Sequence, residues 1–289
     1  MGAVLVTGAT GTVGAAVADH LLRLGEPVLG GVRRDDDSAR LPPGVPPRTF
    51  RFGAAAAKLA DALEGVDRLF LMRPPALADV ATWLFPAVDA ARRRGVRHVV
   101  FLSLQGVQWN RRTPHHAVES YLRATGAPWT FLRPGFFMQN LSTIYATQIR
   151  EHDRLFVPAG ASRTAFVDAR DVGRVAAHVL TRPGHLRKAH TLAGEQSLTY
   201  RQVAVTMSEV LGRPIAYARP SEAAYLAHLV REGTPDEYVA VQRTIHRIVR
   251  LNASAVPDRS VRRLTGEPAT TLARFVQDYR SAWEPAAGG

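Results

Sequence analysis

The chain of 289 residues has no cysteine and no apolar run long enough to cross a lipid bilayer. The absence of cysteine excludes disulfides and thiolate metal sites. A membrane span needs roughly twenty consecutive apolar residues, whereas the longest apolar stretches here have the length of a β-strand. The N-terminus has the pattern of a strand rather than of a charged and then apolar leader. The expected location is therefore the cytoplasm, with no membrane partner.

Lysine is scarce, because nearly all of the 37 basic residues are arginine. Against 25 acidic residues they give a formal net charge of +12, which raises nucleic acid as a partner. The arginines are scattered through the predicted helices, however, and no nucleic-acid motif with interleaved aromatic residues occurs. The ten histidines are scattered too and lack metal-ligand spacing. We therefore expect no nucleic-acid partner and no metal site.

The strongest motif lies in the first fourteen residues. An apolar run at residues 3–6 leads into Thr-Gly-Ala-Thr-Gly-Thr-Val-Gly at residues 7–14, and apolar residues at helical spacing follow. Glycines spaced G-x-x-G-x-x-G between a strand and a helix are typical of a nucleotide-binding turn, where the helix N-terminus offers unpaired N–H groups to a pyrophosphate. The residues predicted to bind the cofactor in this turn are Gly8, Thr10, Gly11, Thr12 and Val13.

Two arginines at the end of the second predicted strand bear on the choice of cofactor. A carboxylate at this place would bind the ribose 2′-hydroxyl of NADH, but the chain has Arg33 and Arg34 there. Guanidinium groups match phosphate oxygens, so NADPH is favoured over NADH. The alternative stays open, because three aspartates at residues 35–37 follow directly and would serve the ribose if the strand ended later.

Strand and helix patterns alternate from residue 3 to residue 133. Strands are predicted at residues 3–6, 27–32, 48–52, 67–72, 96–103 and 129–133, with helices between them that include residues 76–94 and 115–124. This order predicts an α/β fold with a Rossmann-type, doubly wound parallel sheet. The predicted dinucleotide-binding domain covers residues 1–193, with residues 134–163 contributing to the substrate side.

Beyond residue 133 the alternation loosens. A helix at residues 136–149, strands at residues 166–168 and 190–193, and a helix at residues 170–180 are predicted. Residues 194–289 are expected to form a smaller, mostly helical substrate-binding lobe, with only residues 286–289 disordered.

Ligands of such sheets bind at the carboxyl ends of the strands. The end of the fourth predicted strand places Met72, Arg73 and Pro74 among the expected cofactor-binding residues. Ser103 ends the fifth strand and is a candidate catalytic residue. Gln105, Trp109, Phe136, Phe137 and Met138 lie in or beyond the strand-end loops and are the expected substrate-binding residues, because their aromatic rings suit a broad, flat ligand.

Four stretches of the chain together resemble the atypical short-chain dehydrogenase/reductases, specifically the NmrA-like NAD(P)-binding group. They are residues 7–14, residues 130–140 with an Arg-Pro-Gly and two phenylalanines, residues 166–172, and the tail pattern at residues 198–200 and 211–214. The resemblance implies an NADP(H)-type cofactor and a substrate pocket shaped by the C-terminal lobe. The group contains reductases of quinones, azo dyes and polyketide ketones beside redox-sensing regulators.

One part of the superfamily's usual machinery is missing. Typical members deliver a proton from a tyrosine that is activated by a lysine four residues later, and no Tyr-x-x-x-Lys occurs in this chain. With Glu119 as the helix landmark, Arg111 takes the place of the tyrosine and His115 that of the lysine. The remaining proton sources are His115 or His116, Ser103 with a water, or the substrate itself.

The sequence therefore predicts an NADPH-dependent oxidoreductase that reduces a ketone or quinone carbonyl of a flat aromatic, polyketide-like molecule whose own structure activates the carbonyl. Such an enzyme would suit polyketide tailoring in antibiotic biosynthesis. The alternative is a non-catalytic sensor of NADPH and NADP⁺ that binds a partner protein.

Overall fold

The computed structural model describes residues 2–284, so the prediction for residues 286–289 lies outside the described residues. The strands are β1 (Ala3–Val6), β2 (Val28–Val32), β3 (Pro47–Thr49), β4 (Val66–Met72), β5 (His98–Leu102), β6 (Trp129–Pro134), β7 (Arg154–Leu155), β8 (Arg163–Thr164), β9 (Lys188–Leu192), β10 (Leu198–Thr199) and β11 (Ala216–Tyr217). Seven of them form one sheet in the order β3-β2-β1-β4-β5-β6-β9, with every neighbouring pair parallel. The predicted Rossmann-type sheet is confirmed.

The helices between and after these strands are mostly short. They are α1 (Thr12–Arg23), α2 (Ala56–Ala62), α3 (Val80–Trp83), α4 (Phe85–Arg93), α5 (Pro114–Ala124), α6 (Gln139–Ser142), α7 (Ala146–His152), α8 (Ala169–Thr181), α9 (Tyr200–Leu211), α10 (Glu222–Arg231), α11 (Asp236–Arg250), α12 (Ser260–Thr265) and α13 (Leu272–Asp278), with short 3₁₀ helices at Asp35–Arg40, Val107–Trp109 and Arg280–Trp283. No helix within residues 2–284 combines the length and the apolar character that a membrane span requires.

The chain forms two compact units. The first runs to Pro134 and also contains Ala169–Leu192 and Ser260–Glu267, and the second contains Gly135–Asp168, Ala193–Arg259 and the described residues from Pro268 on. The last strand of the large sheet, β9, ends at Leu192, next to the expected domain boundary at residue 193. The chain returns to it at α12, inside the expected 194–289 lobe, because α12 packs against α8 and β9.

The core of the first unit is apolar on both faces of the sheet. Leu5, Leu69 and Phe101 on one face are completely shielded from solvent, and so are Phe70 and Val100 on the other. Burial on both faces is what a parallel sheet covered by helices requires, and it explains the near-continuous apolar runs of these strands.

The second unit has a core of its own, closed by an aromatic residue near the C-terminus. Trp283 is completely buried, and its indole Nε1 donates a hydrogen bond of 2.9 Å to the carbonyl oxygen of Leu141. The ring of Phe275 lies beside it, with 6.0 Å between the ring centroids. A buried indole that has found a partner for its N–H stabilises packing without leaving a polar atom unsatisfied.

The helix predicted at residues 76–94 is corrected to two helices, α3 and α4. The chain first makes a turn after Pro74, in which the amide of Leu77 donates to the carbonyl of Pro74, and the side chain of Asp79 then caps α3. The break falls at Leu84, one helical turn after that cap. Pro86, in the first turn of α4, has no amide hydrogen to continue the ladder of α3.

Three other predicted elements are shorter than expected. The third strand ends at Thr49 instead of residue 52. The helix at 136–149 is divided into α6 and α7, because Thr143 leaves the helical conformation with a ψ angle of −82°. Residues 166–168 form only an isolated bridge, in which Val167 pairs with Phe137, since α8 begins directly afterwards at Ala169. The remaining elements agree with the structure to within a few residues.

Thr7 joins the ends of the two central strands β1 and β4. Its hydroxyl donates to the carbonyl oxygen of Phe70 at 3.0 Å and accepts from the amide of Met72 at 2.8 Å, and the side chain is almost completely buried. The amide of Thr7 also donates to the carbonyl of Phe70. These bonds fix the point at which the chain leaves β1 and enters the glycine-rich turn.

We expect Thr7→Val to lower the free energy of unfolding by about 1–3 kcal/mol, because the amide of Met72 loses its buried acceptor. Thr7→Ser keeps the hydroxyl and is the matched control. Urea unfolding of both variants measures the difference, and equal stabilities would show that the hydroxyl bridge contributes nothing.

Candidate active site

The glycine-rich turn after β1 is held by close backbone contact. Gly8 has a φ of +66°, and its carbonyl accepts a hydrogen bond of 2.9 Å from the amide of Gly11. A Cβ atom on Gly14 would lie 2.2 Å from that same carbonyl oxygen, which no side chain tolerates. The positive φ of Gly8 and the close approach at Gly14 both require glycine, the first for the tight turn and the second for the packing of α1 against it.

The N-terminus of α1 is open to an anion. Gly11 is its N-cap, so no side chain caps the first amides, and the first turn holds no acidic residue. A Cβ on Gly11 would meet only the Gly8 carbonyl oxygen, at 3.4 Å, which leaves the space in front of Gly11 clear. Uncapped amides at a helix N-terminus together with this clearance fit a pyrophosphate. The turn brings the predicted cofactor residues Gly8, Thr10, Gly11, Thr12 and Val13 together, although the side chain of Val13 packs into the core.

Arg33 and Arg34 follow β2 directly, and both are exposed. Neither has an ion-pair or hydrogen-bond partner among the side chains and backbone groups that the structure describes, which leave out the side chain of Asp35. Asp37, by contrast, is largely buried, and its amide donates to the carbonyl of Arg34 at 3.0 Å. Two unpaired guanidinium groups at this strand end are suited to a ribose 2′-phosphate.

The end of β4 brings Met72 and Arg73 to the same edge of the sheet. The methyl carbon of Met72 occupies the space beside Gly8, since a Cβ there would lie 2.0 Å from it. The Nη1 of Arg73 donates to the carbonyl oxygens of Pro74, Pro75 and Leu77 at 2.9–3.0 Å. Burial lowers the pKa of Arg73. The loop that follows β4 is thus organised around this arginine.

Ser103 ends its strand as expected, but its hydroxyl serves a carboxylate. The Oγ donates a hydrogen bond of 2.7 Å to Oε1 of Glu119, which is 1% exposed. Arg133 binds the same carboxylate with two bonds, from Nε at 2.9 Å and from Nη2 at 2.6 Å, and Arg123 adds a third at 3.2 Å. Because the single hydroxyl proton of Ser103 is bound to Glu119, the hydroxyl has lone pairs to offer a ligand but no proton.

The ion pair between Glu119 and Arg133 is a feature that sequence reasoning missed. Glu119 served there only as a landmark, and Arg133 only as part of a family pattern. A signal was present: an acidic residue on the helix that precedes a strand, and an arginine near that strand's carboxyl end. Their pairing places α5 against the ends of β5 and β6 and so fixes the position of Ser103.

The two candidate histidines lie at the start of α5 in different surroundings. Thr113 caps the helix by accepting from the amide of His116, whose ring Nδ1 lies 3.4 Å from the hydroxyl of Ser120. The ring of His115 packs near Phe101, with 6.1 Å between ring centroids. Burial lowers the pKa of His115 to about 4, helped by the positive charge of Arg73.

At neutral pH the His115 ring is therefore uncharged. Hardly any of the protonated form is present, so His115 contributes an N–H donor or a lone pair rather than an imidazolium acid. The catalytic roles of Ser103, His115 and His116 stay predictions.

The predicted substrate residues belong to both units. Gln105 and Trp109 lie in the first, where the ring of Trp109 is 81% exposed in a short 3₁₀ helix. Phe136, Phe137 and Met138 lie in the second, where the Met138 side chain is 3% exposed within the core. The substrate roles of these five residues stay predictions.

Asp168 and Asp171 have structural partners. The side-chain amide of Gln139 donates to Asp168 at 2.8 Å in the second unit, and Arg174 pairs with Asp171 at 2.7 Å in the first. Within residues 2–284 no group of three or more His, Asp or Glu side chains is arranged to hold a metal ion.

A model of the NmrA-like family matches residues 1–258 of the chain. The chain belongs to this family. The predicted resemblance is therefore confirmed.

Known relatives cover nearly the whole NmrA-like chain. An NAD(P)H azoreductase of Xenophilus azovorans is 30% identical over 97% of this chain and 99% of that protein. The (4-alkanoyl-5-oxo-2,5-dihydrofuran-3-yl)methyl phosphate reductase of Streptomyces griseus is 34% identical over 98% and 99%. The crystal structure of an NADPH-dependent quinone oxidoreductase of Escherichia coli, complexed with NADPH, superimposes with a TM-score of 0.86 at 27% identity, covering 95% and 99%.

Variants of Gly11 and Gly14 distinguish an effect on cofactor binding from an effect on folding. Gly11→Ala is expected to fold normally, because its φ of −105° suits alanine, and to weaken NADPH binding on the order of tenfold or more, since the methyl group enters the space for the pyrophosphate. Gly14→Ala is expected to lower stability because its Cβ meets the Gly8 carbonyl. Thermal unfolding without ligand and calorimetric titration with NADPH measure the two effects. Full NADPH affinity in Gly11→Ala would contradict the site.

The low pKa of His115 predicts a pH-dependent stability. The unfolded chain takes up the proton near pH 6.5 and the folded chain near pH 4. The stability contributed by the neutral ring is therefore present above pH 6.5 and is lost as the pH falls through 4. His115→Gln is expected to lose less stability over this range than the parent, whereas the exposed His152→Gln should behave as the parent does. Urea unfolding at several pH values tests this, and identical pH slopes for His115→Gln and the parent would contradict it.

Proposed function

We propose that this chain is an NADPH-dependent reductase of a ketone or quinone carbonyl on a flat aromatic, polyketide-like substrate. The observation that carries the proposal is the uncapped, unobstructed N-terminus of α1 behind the Gly8 turn, in a family whose relatives include NAD(P)H-dependent reductases. A cytoplasmic location and the absence of nucleic-acid or membrane partners belong to the same proposal.

The residues at the end of β2 support NADPH as the cofactor. Arg33 and Arg34 are exposed and unpaired within the described chain, and a 2′-phosphate offers them the anion that they lack. When bound, the cofactor supplies a hydride to the acceptor. The chain's part is to hold both partners close in a site from which water is excluded.

Proton delivery is the step of the reaction to which the residues of this chain contribute least. No tyrosine is followed by a lysine four residues later. The Ser103 proton is bound to Glu119, and His115 is neutral at pH 7. An acceptor that needs little acid assistance is therefore favoured. A quinone meets this condition because its reduced product is an aromatic diol, and so does an aromatic ketone whose neighbouring phenol already hydrogen-bonds the carbonyl.

The relatives support the same range of acceptors. Their names describe a quinone oxidoreductase, an azoreductase and the reductase of a dihydrofuranone methyl phosphate. The first two act on conjugated, electron-poor acceptors, and the third on an unsaturated ring that carries an acidic group. Polyketide tailoring is the narrower proposal within this range.

A second candidate is a sensor that binds NADPH and NADP⁺ differently and regulates a partner protein. The missing tyrosine and lysine favour it, because a sensor needs the cofactor turn but no proton donor. Under this alternative the two cofactor forms would differ in affinity while no acceptor was reduced.

The direct test incubates the purified chain with NADPH and a panel of naphthoquinones, hydroxylated aromatic ketones and unactivated ketones. We expect NADPH oxidation at 340 nm with the first two groups and little with the third. NADPH binding without oxidation by any acceptor would favour the sensor. Failure to bind NADPH at all would contradict both candidates.

Arg34→Ala tests the choice of cofactor. Loss of a guanidinium that binds the 2′-phosphate is expected to lower the preference for NADPH over NADH on the order of 10- to 100-fold. Arg40→Ala removes another exposed charge, from the following 3₁₀ helix, and is the control. The ratio of kcat/KM values for the two cofactors measures the effect. An unchanged ratio in Arg34→Ala and in the double variant with Arg33→Ala would contradict the assignment.

A further inference from the structure

Arg73 carries a positive charge at the carboxyl end of β4, and within residues 2–284 only one of its three side-chain nitrogens has hydrogen-bond partners. Its Nη1 is fixed by three backbone carbonyl oxygens, those of Pro74, Pro75 and Leu77. Its Nε is shielded from solvent and has no hydrogen-bond partner within residues 2–284. The guanidinium is therefore held in one orientation through Nη1, and Nε and Nη2 keep N–H donors without a partner in the described part of the chain.

Two of the least exposed arginines of the first unit have acidic partners, whereas the half-buried Arg48 is bound, like Arg73, by backbone carbonyl oxygens. Arg68 pairs with Glu26 at 2.8 Å and with Asp67 at 3.0 Å, and Arg133 pairs with Glu119 at 2.6 Å. Arg73 has no acidic partner in the described part of the chain. A partly buried cation without a counter-charge costs free energy. An anion that arrives with a ligand would remove that cost.

The position of Arg73 is where this fold binds ligands. It follows Met72, whose methyl carbon packs beside Gly8 of the nucleotide turn. Its charge also reaches His115, since it helps to lower the pKa of that ring. Arg73 therefore lies between the cofactor turn and the candidate catalytic helix, at the carboxyl edge of the parallel sheet.

We propose that Arg73 binds an anionic substituent of the substrate, a carboxylate, sulfonate or phosphate group. The inference rests on the proposed reductase function and narrows its substrate class to acidic aromatic quinones or carbonyl compounds. Oxyanions are the ligands that a fixed guanidinium edge matches best. The other source of the same chemistry is a phosphate of the cofactor, and the arms of the test separate the two.

The first arm measures binding without turnover. Naphthalene-2-sulfonate and 2-naphthol are titrated by calorimetry into the protein saturated with NADP⁺. We expect the sulfonate to bind more tightly, and its affinity to fall with added salt while that of naphthol does not. In Arg73→Gln the preference for the sulfonate should fall on the order of 10- to 100-fold, and Arg73→Lys should show an intermediate preference because it keeps the charge.

Arg92→Gln is the matched control. It removes an exposed arginine from the last turn of α4 and should keep the parent's preference. In the parent, sulfonate binding should also raise the pKa of His115, measured by NMR, because the bound anion offsets the charge of Arg73.

The second arm compares kcat/KM for 1,2-naphthoquinone and for its 4-sulfonate. The preference for the sulfonate should fall in Arg73→Gln and persist in Arg92→Gln. If neither quinone is reduced, the proposed function fails. The binding measurements of the first arm still test whether Arg73 binds the anionic group.

Two results would overturn the inference. A sulfonate preference that is the same in parent and Arg73→Gln, with or without a lower melting temperature, would leave Arg73 a structural role in its loop. A weaker affinity for NADPH in Arg73→Gln with the sulfonate preference intact would assign the charge to the cofactor.

Discussion

The close contact between two backbone segments in the turn after β1 is the constraint on which the rest of this structure depends. The Gly8 carbonyl lies where a side chain on Gly14 would begin, 2.2 Å from an ideal Cβ. Thr7 ties the same point to β4 through two hydrogen bonds. With the turn fixed from both sides, α1 starts with uncapped amides at the edge of the sheet, and a pyrophosphate can approach them. The proposed position of the cofactor therefore rests on backbone packing and not on a side chain.

The polar groups at the strand ends are of two kinds: those that bind one another and those that can still donate to a ligand. Glu119 is fully engaged by Ser103, Arg133 and Arg123, so its carboxylate serves the structure of α5. Arg73 and the neutral ring of His115 remain as donors. In the proposed reductase, a site with this composition stabilises negative charge on an acceptor better than it delivers a proton. That balance is the physical reason for favouring acceptors that carry their own activation.

Much of the fold could be predicted from local sequence, because the signals were local. The glycine spacing of residues 7–14 and the apolar runs of the buried strands can each be recognised within a few residues. The parallel order of the strands follows from their alternation with helices. The break between α3 and α4 was visible at Pro86 but competed with a continuous apolar pattern. The return of the chain at Ser260–Glu267 depends on α12 packing against a helix far away in sequence, which no local pattern carries.

The candidate site was less predictable because its properties depend on contacts between residues that are far apart in the sequence. Ser103 was found at its strand end, but its proton is directed by Glu119, sixteen residues later, and by Arg133 beyond it. The low pKa of His115 depends on burial and on Arg73, a residue of another strand end. Sequence placed these residues near one another through the topology of the sheet. Only their contacts decide which proton each of them can give.

Hydride transfer at this site is tested most directly by single-turnover reduction of a naphthoquinone with NADPH that carries deuterium at one or the other face of the nicotinamide C4. A reductase that holds the acceptor against one face should react more slowly with one labelled form and at the normal rate with the other. Bound NADPH whose oxidation is slowed by neither label would show that chemistry at this carbon does not limit the reaction, and no oxidation of bound NADPH would contradict the enzyme outright.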